Sequence, residues 1–157
     1  MKNILSGILR DPEFPEGECW RRRRFDANET IVREGDQDRT MYLIERGTLR
    51  VSGRVSLDDE RHIQPGLCDL GPGDPFGELT LFEPLRRTAS VVAIDPGELV
   101  EIDCERLAAY LEQRPELGFA VLKTMFRVLI DRLRTANQRV EHLFAWGLRV
   151  HGIDQHL

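Results

Sequence analysis

The period of the sequence changes once, near Asp103, and that change constrains the architecture more than any other feature of the chain. Before it, short runs rich in β-branched and aromatic residues (30–32, 41–44, 48–55, 88–94 and 98–102) are separated by turn clusters. These clusters include Glu34-Gly35-Asp36, Gly71-Pro72-Gly73-Asp74 and Asp95-Pro96-Gly97, where glycine and proline punctuate the strands. Short strands at this spacing, from Phe25 to Asp103, predict a small antiparallel barrel or jelly roll. After Asp103 the pattern becomes helical, with a short helix over 104–113. A long one then opens at Pro115, where a missing N–H costs nothing in the first turn. The expected class is α+β, mainly β: an antiparallel β jelly-roll barrel with flanking helices and a long C-terminal helix. Residues 1–24 are expected as a lead-in segment holding a short helix, 25–143 as the domain with its long helix over 115–143, and 144–157 as a tail.

Within the long helix, Leu122, Phe126, Leu129, Leu133, Ala136, Val140 and Leu143 recur at alternating steps of four and three, which is a heptad seam. Such a stripe either packs on its own barrel or receives a second helix. Val121, Met125 and Val128 form a second stripe on an adjoining face. The second stripe leaves one face for the barrel and the seam for a partner, so a symmetric homodimer through residues 122–143 is expected.

A chain of 157 residues is one domain by size. With 41% hydrophobic and 31% charged residues it has the composition of a globular protein, and its net charge of −5 argues against gripping a nucleic-acid backbone. The basic run Arg21–Arg24 is expected to be a solvated turn before a strand. Cys19, Cys68 and Cys104 are far apart, with no CxxC pair and no histidine at metal-ligand spacing, which fits reduced thiols and no metal site. The apolar start is broken at once by Ser6, Gly7, Arg10 and Asp11, and no run reaches membrane-spanning length, so a cytoplasmic protein without a membrane partner is expected.

The chemistry concentrates in Phe76-Gly77-Glu78-Leu79-Thr80-Leu81-Phe82, followed by Arg87-Thr88-Ala89-Ser90. Arginine offers a phosphate a charged planar fork, and an ionised glutamate only accepts hydrogen bonds, which suits a sugar hydroxyl. Residues 77–79 read as the first turn of a short helix, whose unpaired amides favour an anion or sugar oxygens.

With Glu34-Gly35-Asp36, Met41-Tyr42-Leu43-Ile44, Gly47 and Leu70-Gly71-Pro72-Gly73-Asp74 leading into this segment, the chain resembles the cyclic nucleotide-binding domain family from about Phe25 to Leu143. That family includes the bacterial catabolite activator protein and the regulatory domains of cyclic-nucleotide-dependent kinases. The resemblance implies an eight-stranded jelly roll with flanking helices. It implies that Glu78 binds the ribose 2′-hydroxyl and Arg87 the cyclic phosphate, and that Gly77, Leu79, Thr88 and Ala89 line the cassette. It also places Ala136 and Asn137 over the purine, where the Asn137 amide offers an adenine edge both a donor and an acceptor.

Thr88 resembles members that favour cyclic GMP, yet a hydroxyl also occurs in cyclic AMP binders, so cyclic AMP is favoured by a narrow margin. The alternative is a ligand-free interaction module in which Glu78 and Arg87 pair with each other. The thirteen residues after Phe144 are too few for a helix-turn-helix domain, so direct DNA reading is not expected. No GxSxG, P-loop or HExxH motif occurs, and His62, His142, His151 and His156 show no catalytic spacing. The scattered cysteines also argue against a haem or iron–sulfur relative with a prosthetic group. The expectation is a non-catalytic sensor of a cyclic nucleotide, acting on a protein effector.

Overall fold

The computed structural model describes residues 2–53, 55–56, 62–63, 66–81 and 85–150. Among the described residues, helix α1 (Lys2–Ile8) precedes ten strands: β1 (Trp20–Phe25), β2 (Thr30–Val32), β3 (Thr40–Arg46), β4 (Leu49–Ser52), β5 (Val55–Ser56), β6 (His62–Ile63), β7 (Gly66–Leu70), β8 (Pro75–Phe76), β9 (Ser90–Ala93) and β10 (Gly97–Asp103). A 3-10 turn, Glu78–Thr80, lies between β8 and β9, and helices α2 (Cys104–Glu112) and α3 (Pro115–Val150) follow.

Eight of the strands form two four-stranded antiparallel sheets, ordered β1-β10-β3-β8 and β2-β9-β4-β7, while β5 and β6 make a separate hairpin. This is the expected jelly roll. Every one of those eight strands sends side chains to one core: Phe25, Tyr42, Ile44, Phe76 and Leu99 from the first sheet, and Ile31, Val32, Leu49, Leu70, Val91 and Ala93 from the second. Strands β3 and β10 each carry four consecutive buried residues. Since side chains alternate between faces, such a run means that the sheet is covered on both sides.

The arginine run lies in a strand rather than a turn, with Arg21, Arg22 and Arg24 exposed as expected. Residues 20–25 pair along their whole length with β10, from Trp20↔Ile102 to Phe25↔Gly97. Trp20 and Phe25 supply the buried ends, and partnered charges make the middle tolerable on an edge strand. Arg21 Nε lies 2.5 Å and Arg23 Nη1 3.0 Å from the buried carboxylate of Glu101. Arg22 pairs with Glu16 and Glu45, at 2.9 and 3.3 Å.

The segment before β1 is more than a lead-in, since Leu5, Ile8 and Phe14 are buried. Trp20 Nε1 donates to the Phe14 carbonyl at 2.9 Å, and the Tyr110 hydroxyl of α2 donates to Asp11 Oδ2 at 2.5 Å. Burial first, and then the Asp11 carboxylate, push the Tyr110 phenol up to about 12.

Asp103 caps α2 by accepting from the Arg106 N–H at 2.9 Å, which satisfies one of the helix's unpaired donors. The long helix opens at Pro115 as expected but runs on to Val150, so residues 144–150 are helix rather than tail. Only Gly147 opposes that continuation, at a cost of about 1 kcal/mol, and no proline intervenes. The chain divides into two compact units after Gly118. In the second, Val121 and Met125 are buried, whereas Leu122, Phe126, Leu133, Val140 and Leu143 of the seam are 46–67% exposed. No helix among the described residues is long and apolar enough to cross a membrane.

Two stability predictions follow. A Cβ on Gly97 would overlap the Arg46 carbonyl oxygen and lie 2.6 Å from Phe25 Cζ. Gly97→Ala is therefore expected to lower the unfolding free energy by about 1–3 kcal/mol, read as a lower urea midpoint at unchanged m, and an unchanged midpoint would show that the β3–β10 contact yields freely. Tyr110 loses its proton more readily unfolded than folded, so its contribution is complete below about pH 10 and fades as pH rises towards about 12. Alkaline denaturation should accordingly be steeper in the wild type than in Tyr110→Phe, and identical profiles would dismiss the Tyr110–Asp11 bond as its source.

Candidate functional site

The backbone leaving β8 enters the 3-10 turn through Gly77, at φ 74° and ψ 11°, a left-handed conformation that glycine adopts without penalty. Space makes the same demand. A Cβ at this position would lie 2.6 Å from Arg87 Nη1, 2.9 Å from the Thr40 carbonyl oxygen and 3.3 Å from Tyr42 Cδ2. The missing side chain lets main chain and guanidinium touch. The turn is closed by the Thr80 N–H and hydroxyl, which donate to the Gly77 carbonyl at 3.3 and 2.9 Å. The Leu81 N–H donates to the Glu78 carbonyl at 3.1 Å.

Of the expected cassette residues, Glu78 and Arg87 are 4% and 6% exposed, Leu79 is 47% exposed, Thr88 is exposed and Ala89 is half-buried. Asn137 is exposed in the second unit. Phe82, Pro84, His151 and His156 lie outside the described residues.

Arg87 is placed by its backbone and by its head group. Its N–H donates to the Asp36 carbonyl at 2.9 Å, and its carbonyl accepts from the Gly35 N–H at 2.8 Å. These bonds join the connection before β9 to the turn before β3. In the side chain, Nε donates to Asp38 Oδ2 at 3.0 Å, and Nη2 donates both to Asp38 Oδ1 and, at 2.6 Å, to the Thr40 carbonyl. The guanidinium carbon stands 5.6 Å from the centroid of the Tyr42 ring, which is itself stacked on Phe76 at 4.7 Å. Burial pushes the Asp38 carboxyl up, but the hydrogen bonds and charge of Arg87, together with the Thr40 N–H, outweigh it and hold the carboxyl below its ordinary value. Asp38 is therefore an anion at neutral pH, fixed beside a buried cation.

The sequence names Gly77, Glu78 and Arg87 as candidates but gives no sign of Asp38, Thr40 and Tyr42, which the structure sets around the Arg87 guanidinium. Their only cue is a carboxylate in the turn before a strand, and nothing in the local pattern says which cation it meets. The described hydrogen bonds of the Arg87 guanidinium go to Asp38 and Thr40, not to Glu78. Arg87 is thus a structural element as well as a candidate ligand contact. Cys19 and Cys104 are buried and Cys68 half-buried, and burial pushes the first two thiols up. Among the described residues no group of three histidine, cysteine or acidic side chains is disposed to hold a metal ion.

A CRP-like cAMP-activated global transcriptional regulator of Mycobacterium tuberculosis is 32% identical over 119 residues, covering 76% of this chain and 50% of that protein. The chain thus spans about half the length of that relative. Among solved structures, the c-di-GMP-responsive global regulator CLP of Xanthomonas campestris superposes with a TM-score of 0.68 at 26% identity, over 78% of this chain and 58% of that one. A cyclic nucleotide-binding domain from Methylobacillus flagellatus has the same fold, with a TM-score of 0.68 at 23% identity over 76% of this chain and 65% of that one. Residues 22–114 match the model of the cyclic nucleotide-binding domain, and with a barrel, a glycine-opened turn and a buried arginine in one place, the chain belongs to that family.

Proposed function

We propose that this chain is a non-catalytic sensor that binds a cyclic nucleotide, cyclic AMP in preference to cyclic GMP, and passes the signal through a dimeric α3 to a protein effector. The observation that carries the reading is the contact between Gly77 and Arg87. Asp38 and Thr40 engage Nε and Nη2, so the fork is oriented in advance and its Nη1 lies against the backbone of the turn. A cyclic phosphate needs a charged donor beside backbone amides, and this juxtaposition provides both.

In this reading Arg87 meets the phosphate, Glu78 accepts from the 2′-hydroxyl, and Gly77, Leu79, Thr88 and Ala89 line the cassette. Asn137 is kept as a purine contact on the family resemblance alone. The M. tuberculosis relative is named as cAMP-activated, which supports cyclic AMP as the ligand. The X. campestris regulator is described as c-di-GMP responsive, so that dinucleotide belongs in the test. The exposure of Leu122, Phe126, Leu133, Val140 and Leu143 supports a homodimer through the seam over 122–143.

Calorimetric titration with cyclic AMP, cyclic GMP and c-di-GMP, with 5′-AMP as control, tests the ligand. Saturable binding of cyclic AMP is expected, and no binding to any of them would favour a ligand-free interaction module. Arg87→Lys retains a charge but loses the planar fork, and it should weaken binding about 100-fold, equivalent to ~3 kcal/mol of charged hydrogen bonding. Gly77→Ala should act in the same direction by displacing Nη1, and undiminished affinity in both variants would remove the cassette from consideration. For the dimer, Leu133→Glu places charge in the seam and should leave a monomer by light scattering. A persisting dimer would put the interface elsewhere.

A further inference from the structure

Two side chains outside the proposed ligand contacts tie the 3-10 turn of the cassette to the first turn of α2. Arg39 Nη1 donates to Glu105 Oε1 at 2.8 Å, and its Nη2 reaches the carbonyl of Leu81, the residue that caps the 3-10 turn, at 3.4 Å. The Arg39 carbonyl accepts from the N–H of Cys104, the first residue of α2, at 2.9 Å. Cys104 is fully buried, and its Sγ lies 3.6 Å from the Thr80 hydroxyl that closes the turn onto Gly77.

Asp38 and Thr40, on either side of Arg39, hold the guanidinium of Arg87. Three consecutive residues therefore grip the candidate phosphate arginine, the end of the cassette turn and the start of α2. Arg39 Nε is buried without a partner among the described residues, which is unfavourable for a donor. The side chain keeps that cost while its two ends make their contacts. A pair with Glu105, whose side chain is 67% exposed, contributes little to stability by itself, so stability alone does not account for the arrangement.

We propose that Arg39 is a positioning residue that locks the cassette turn to the first turn of α2, so that ligand affinity and the order of α2 depend on each other. The inference rests on the cassette reading above. Coupling between sites is reciprocal. If Arg39 preorganises the turn for a nucleotide, a bound nucleotide must in turn hold α2 closed over Cys104.

The experiment combines calorimetric titration with iodoacetamide alkylation of the folded protein, read at Cys104 by peptide mass spectrometry, with and without cyclic AMP and cyclic GMP. It compares the wild type with Arg39→Met and with Glu105→Gln; the latter alters an exposed carboxylate and keeps the test open should the first variant fold poorly. In the wild type, nucleotide should slow alkylation of Cys104. Both variants should raise Kd about tenfold, within the usual range for coupled sites, and should alkylate faster at Cys104 without ligand while losing most of the nucleotide protection. Wild-type binding with unchanged Kd and unchanged Cys104 rates in both variants overturns the role of Arg39 and leaves the cassette reading intact. Failure of the wild type to bind either nucleotide overturns the cassette reading and the role of Arg39 with it.

Discussion

A guanidinium taken out of water must be matched by charge and by acceptors, and the match for Arg87 organises much of the first unit. Leaving such a cation unpaired costs several kcal/mol, roughly the stability of a marginal domain. Asp38 supplies the charge, Thr40 a carbonyl and Tyr42 a ring face. Asp38 precedes β3 in one sheet and Arg87 precedes β9 in the other, so the pair fastens the two layers of the barrel at the site. The same cation fixes the identity of Gly77, because any side chain there would meet Nη1. A residue suited to an anionic ligand is thus also a residue on which the local fold depends, and the two demands have one geometric solution.

The remainder of the barrel follows from covering both faces of its first sheet. The inner face joins the common core of eight strands. Burial of four successive residues in both β3 and β10 requires a second cover, and the buried residues of the N-terminal segment together with α2 are the apolar material at hand. Phe14 and Tyr110 meet with their rings 5.1 Å apart, and the Tyr110–Asp11 bond fixes the same junction. The arginine-rich β1 ends the sheet in a form that resists further pairing, since an added strand would have to accommodate its charged side chains.

The second unit shows a different use of apolar residues. Its buried pair, Val121 and Met125, and its exposed seam lie on one continuous helix, so propensity carries the helix while burial is confined to part of its circumference. An exposed row of one phenylalanine, three leucines and a valine is unusual for an isolated helix, since single exposed apolar residues are common but contiguous stripes mark interaction surfaces. This gives the family assignment a physical sense, with a candidate cassette in the barrel and an apolar helix that follows it in sequence.

The sequence by itself determined the switch from β to helical period, the glycine–proline turns, the opening of α3 at Pro115 and the candidacy of Gly77, Glu78 and Arg87, because each is a local pattern written in neighbouring residues. It put Arg21–Arg24 in a turn because a run of like charges gives no strand pattern until β10, with Glu101 about eighty positions away, is brought opposite it. It stopped α3 at residue 143 because the heptad seam ends there, whereas the helix continues past a single glycine to Val150. Only the tertiary structure decided that Asp38 and Thr40 hold Arg87, and that Arg39 bridges Leu81 and Glu105. These partners are joined by strand pairing and sheet packing, and complementary charges distant in sequence carry no local mark of which one meets which.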